Sequence, residues 1–97
     1  MIFAELKYEN EYGDIHDQLV SFLSKSFVKM ESGLQGDSWI WIHVGVDKVT
    51  IDTFTSMKHQ VKSAKPGPHV NKVINVLKSK YKLSIFENPE LESHEGN

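Results

Sequence analysis

Residues 38–56, SWIWIHVGVDKVTIDTFTS, read as two strands joined by a short turn, and the rest of the chain arranges itself around them. Successive strand residues point to opposite faces, so Ile40, Ile42, Val44 and Val46 share one side while Trp39, Trp41, His43 and Gly45 share the other. The first set is ordinary core. With Asp47 and Lys48 as a two-residue turn, Val46 faces Val49, Val44 faces Ile51, His43 faces Asp52, Trp41 faces Phe54 and Trp39 faces Ser56. The second face is then aromatic with one His/Asp pair, a surface expected to touch something.

Towards the amino terminus, Ile2, Ala4, Leu6 and Tyr8 alternate with Phe3, Glu5, Lys7 and Glu9, the period of a half-buried strand. From Asp14 the apolar residues Ile15, Leu19, Phe22, Leu23 and Phe27 fall at helical spacing. Asp14 is the expected N-cap, Asp17 lies in the first turn, and the helix is expected to run to about residue 26. Residues 28–37, with Gly33 and Gly36, read as a loop with room for a short extra strand.

Towards the carboxyl terminus, the pattern of residues 57–64 fits a strand extension or a loop equally well. Pro66, Gly67 and Pro68 end that segment. Gly67 is the expected N-cap of a second helix, Pro68 its first residue, and Val70, Val73, Ile74, Leu77 and Tyr81 its apolar stripe. Leu83 and Ile85 alternate with Lys82, Ser84 and Phe86 as a last strand, before Asn88 and Pro89 open an acidic, polar tail. One compact domain over residues 1–88 is expected, followed by a flexible tail over 89–97.

Strand, helix, strand, strand, helix, strand is the order of a ferredoxin-like βαββαβ two-layer sandwich. This is an α+β fold in which an antiparallel sheet carries both helices on one face. The other face is left open. In that arrangement Phe86, Phe3, Phe54 and Trp41, with Trp39 nearby, form an aromatic band across it. Such a band exceeds the apolar patch a monomer ordinarily leaves in water.

Composition bounds the chemistry. Hydrophobic residues at 39% and charged ones at 25% are the values of a folded globular chain. Cysteine is absent, so disulfides and thiolate metal sites are excluded. The stretch MIFAELKYEN has neither a basic leader region nor a long apolar run, and no segment approaches the roughly 20 apolar residues of a membrane span. A soluble cytoplasmic protein is expected.

The net charge of −2 hides a polarity along the sequence. Residues 1–52 hold nine acids against four lysines, whereas 53–86 hold seven lysines and no acid, and four glutamates close the tail. Arginine is missing altogether, which argues against nucleic acid, since bidentate phosphate and guanine contacts favour the guanidinium fork. An aromatic strand platform resembles RNA-recognition domains in architecture. However, VTIDTFTS lacks the glycine and aromatic spacing of their signature strand.

His43 opposite Asp52 has the form of an acid–base pair, but such pairs also stabilise plain sheets, and no serine or cysteine nucleophile accompanies it in the motif. His59 and His69 have no close ligand partner at metal-binding spacing, so neither a metal nor a cofactor is expected. A small, mildly acidic chain without cysteine or catalytic motif resembles, generically, the bacterial immunity and antitoxin proteins that work by occluding a partner toxin. The resemblance implies a non-enzymatic protein-binding module. Its expected contact residues are Trp39, Trp41, His43, Asp52, Phe54 and Phe3, with Glu5, Asp37 and Asp47 offering carboxylates to a basic partner such as a nuclease. The alternative expectation is a homodimer whose open sheets pack face to face around a small-molecule pocket.

Overall fold

The computed structural model describes residues 1–91. Its elements are β1 (Ile2–Lys7), α1 (Tyr12–Leu23), β2 (Met30–Gln35), β3 (Asp37–Val44), β4 (Asp47–Asp52), β5 (Gln60–Lys62), α2 (Pro68–Lys78) and β6 (Lys82–Glu90). All six strands join one sheet in the order β2-β3-β4-β5-β1-β6, with every neighbouring pair antiparallel. The class is α+β, as the sequence implies, but the strand order is not the ferredoxin-like one. Between the two helices lies a four-strand meander in place of a single hairpin, and its last strand, β5, takes the place beside β1.

Helix α2 begins as its sequence predicts, with Gly67 as N-cap and Pro68, which lacks an amide hydrogen, at a position that needs none. Helix α1 starts two residues earlier than Asp14. Glu11 is its N-cap in an extended conformation, and its carbonyl receives the Asp14 amide at 3.0 Å, which places Asp14 inside the first turn, where a carboxylate suits the helix dipole.

Both helices lie on one side of the sheet. Ile15, Leu19 and Leu23 of α1 and Val70, Val73, Ile74 and Leu77 of α2 enclose a core with Ala4, Leu6, Ile40, Ile42, Val49, Ile51 and Val61 of the strands. At the rim the Phe22 ring meets Tyr81 edge-on at 5.6 Å, and the Tyr81 hydroxyl donates to Gln18.

The central hairpin turns at Gly45 and Val46, not at Asp47 and Lys48. Gly45 adopts φ +62°, which suits the first position of a type II′ hairpin turn. Val46, expected in the core, is 100% exposed at the tip. Every cross-strand pair therefore differs from expectation by four residues: Trp41 faces Thr50, His43 faces Lys48 and Trp39 faces Asp52. An even slip leaves each residue on its expected face and changes only its partner.

Strand β4 then ends at Asp52, and residues 53–59 fold back as a loop before β5. Residues 30–35, in the segment read from sequence as a loop with room for a short extra strand, form that strand and pair residue for residue with β3. As an edge strand with mostly exposed side chains, β2 carries no apolar alternation to announce it. Strand β6 extends to Glu90, two residues past the expected domain end; Leu91 follows it, exposed, and residues 92–97 of the expected tail lie outside the described residues.

Candidate functional site

The helix-free face takes its character from the alternation of β3. Trp39, Trp41 and His43 project from it, as the sequence predicts, while Ile40 and Ile42 are buried under the helices. The two indoles lie against each other with centroids 4.8 Å apart at 44°. Glycine at position 33 on the neighbouring strand is what lets them do so. A Cβ there would stand 2.6 Å from the Trp39 ring, so the indole lies across a backbone floor that any side chain would obstruct.

Polar groups rim the pair. Lys48 Nζ stands 4.3 Å from the Trp41 ring centroid, a cation–π contact. His43 Nε2 meets Glu31 Oε2 at 2.8 Å, so the histidine's carboxylate partner is Glu31 on β2 and not Asp52. Glu31 lies diagonally across from His43, a relation invisible until β2 is known to be a strand.

Asp52 lies on the same face but serves another purpose. Its Oδ1 accepts from Lys62 Nζ at 2.7 Å, with both side chains about 95% buried, and from the Phe54 amide at 3.2 Å. The loop over residues 53–59 forms the lid of this ion pair. Thr55 Oγ1 accepts from Lys62 Nζ at 3.2 Å and donates to Gln60 Oε1 at 3.0 Å, while Gln60 Nε2 and Ser56 Oγ both donate to Glu5 Oε1, at 3.0 and 3.1 Å. The helix-free face is therefore roofed by the chain itself around Asp52, Lys62, Gln60 and Glu5. Lys62, which belongs by sequence to a basic block, is the residue at its centre.

The expected five-aromatic band does not form. The register of β1 shifts between Ile2 and Ala4 against both neighbours; Phe3 joins the core at 7% exposure, while Ile2 faces Lys62. Phe86 lines a cleft of about 290 Å³ beside α2 together with Phe3 and Ile74. Phe54 rides on the loop, 53% exposed, its ring 6.0 Å from Lys62 Nζ. Of the expected carboxylates, Asp37 is exposed at the β2–β3 turn. Glu5 and Asp52 are held as described, and Asp47 lies on the helix side facing His69 and Lys65. What the structure brings together is Trp39, Trp41, His43, Lys48 and Glu31, with Gly33 beneath. Glu31, Gly33 and Lys48 were missed because their role is cross-strand.

Two histidine clusters lie on the helix side. In the first, Tyr8 Oη and His59 Nδ1 are 2.7 Å apart, His59 Nε2 and Ser38 Oγ 2.7 Å, and Ser38 Oγ and His16 Nδ1 2.5 Å. The His59 amide also donates to Tyr8 Oη at 3.1 Å, which leaves the hydroxyl hydrogen for His59 Nδ1, and each side-chain polar atom named in the row has a hydrogen-bond partner. Burial, with His16 nearby, holds His59 down to about 4, and burial pushes the Tyr8 hydroxyl up to about 12. The row ties the end of β1 to α1, β3 and the start of β5.

In the second cluster, His69 Nε2 is 3.0 Å from Ser63 Oγ and His69 Nδ1 is 3.7 Å from Asp47 Oδ2. The order of contacts is that of a serine hydrolase triad, but the protons run the other way. Ser63 Oγ donates to the Lys48 carbonyl at 2.9 Å, so His69 Nε2 must donate to Ser63 and cannot act as its base. A cleft of about 380 Å³ opens beside Ser63, but His69 does not line it. The cluster clamps β4, β5 and the start of α2 together. Among the described residues no three histidine or acidic side chains converge as a metal site, and no helix is long and apolar enough to cross a membrane. No protein family matches the sequence, and no curated protein or solved structure is significantly similar to it.

Proposed function

We propose that the chain is a non-enzymatic, cytoplasmic protein-binding module that occludes a partner protein through the Trp39–Trp41 face, in the manner of immunity and antitoxin proteins. The observation that carries this reading is the paired indoles, half-buried on a sheet face that no helix covers and seated over Gly33. Rigid aromatics that keep accessible area are the residues that dominate protein interfaces. Glu31, His43 and Lys48 supply a polar rim able to fix orientation. The exposed carboxylates on the strands that carry the indole site are Asp37 and Glu31, since Asp52, opposite Trp39, is buried against Lys62; a basic partner therefore gains less support than an aromatic-accepting one. The test is co-purification of the native protein with its partner, followed by titration of Trp41→Ala. Truncation is expected to weaken binding about 30-fold or more, the equivalent of roughly 2 kcal/mol. Unchanged affinity in a variant whose circular dichroism is native would sink the reading.

A further inference from the structure

The two edges of the sheet are built differently. Strand β6 has the features that keep an edge from pairing: Lys82 at its start, Pro89 near its end, and a register shift against β1. Strand β2 has neither proline nor register shift, and Lys29, which flanks its start, bonds inwards to His43. Its six residues, MESGLQ, pair with β3 without a bulge, and they include no proline and no lysine.

The hydrogen-bond phase of β2 can be read from one contact. The His43 amide donates to the Lys29 carbonyl at 3.0 Å, which makes 29 and 43 a bonded pair across β2 and β3. Antiparallel pairs alternate, so Glu31, Gly33 and Gln35 bond towards β3, and Met30, Ser32 and Leu34 turn their amides and carbonyls outward. We propose that this edge is the docking site of a second copy of the chain, joined β2 to β2 about a two-fold axis perpendicular to the sheet.

The sequence of the edge is self-complementary in one register. With Ser32 on the axis, Ser32 faces its own copy, Met30 faces the partner's Leu34 and Leu34 faces the partner's Met30. Each of these three pairs joins two outward residues and exchanges two backbone bonds, making six in all. Sliding by one step to either side leaves an outward residue of β2 without a counterpart in the strand. Leu34, 44% exposed in the single chain, gains an apolar neighbour on the helix side. Glu31 falls opposite the partner's Gly33, so no like charges face each other. The product is a continuous twelve-strand sheet, six strands from each copy, with both tryptophan pairs on one face.

Light scattering on the full chain after size-exclusion chromatography tests this directly. Wild type is expected at twice the mass of one chain. Ser32→Pro removes an outward amide that β3 does not use, and Leu34→Lys places a charge on the seam. Each variant is expected to halve the mass while keeping the circular dichroism of the wild type. Trp41→Ala is expected to remain dimeric, whereas a dimer packed through its open faces would dissociate. A wild-type chain that is monomeric across a concentration series, or a dimer that survives both edge variants, would overturn the proposal.

Discussion

Lys62 shows how far a single residue can depart from its sequence context. It stands in a segment of seven lysines and no acids, where solvation is the ordinary expectation, yet it is enclosed with Asp52 under a loop whose Thr55 hydroxyl accepts a hydrogen bond from it. Removing one member of such a pair leaves the other buried and charged. Lys62→Met is therefore expected to lower the unfolding free energy by roughly 3–5 kcal/mol, and the double variant Asp52→Leu/Lys62→Met to recover most of that loss. Urea denaturation measures both. A single-variant cost below about 1 kcal/mol, the value of an exposed pair, would mean that the loop does not seal the site. Gly33 makes the same point in reverse, since the absence of a side chain there is what gives Trp39 its place.

Among the elements, the β3–β4 turn decides the pairing of the central hairpin. A Cβ at Gly45 meets nothing within 4 Å, so only the φ of +62° opposes substitution. Gly45→Ala is expected to cost about 1–2 kcal/mol, read as a fall in thermal midpoint, with the spectrum of the native sheet retained. The sequence shows which face each β3 residue occupies, because that follows from period alone. Partners follow from the turn alone, and there Gly45 carried the signal: it accepts the positive φ of a two-residue turn, which Asp47 and Lys48 would have to adopt with side chains. The start of α2 was legible in the same terms: Pro68 fixes its own φ and needs no amide partner at the first helical position, and Gly67 before it is free to take the φ of +157° that side chains rarely adopt. Strand β2 and the three residues of β5 were not, since an exposed edge and a strand polar on one buried face leave no apolar rhythm. Without β2, neither the Glu31–His43 pair nor the glycine floor of the tryptophans could be foreseen.

For the molecule as a whole, the Tyr8–His59–Ser38–His16 row links stability to pH. His59 titrates near 6.5 when unfolded and near 4 when folded, so between those values the unfolded chain takes up a proton that the native state refuses. Its contribution is complete above about pH 6.5 and is lost progressively as the pH falls towards 4, on the order of 3 kcal/mol in all. Urea midpoints measured across this window should fall more steeply for wild type than for His59→Gln. Parallel curves would show that the imidazole is not what couples folding to protons. The position of β1 has a different consequence. It lies inside the sheet, yet both of its neighbours come late, β5 near residue 60 and β6 after residue 81. During synthesis β1 thus has no partner until β5 has followed it out of the ribosome, and its second flank stays open until β6 emerges.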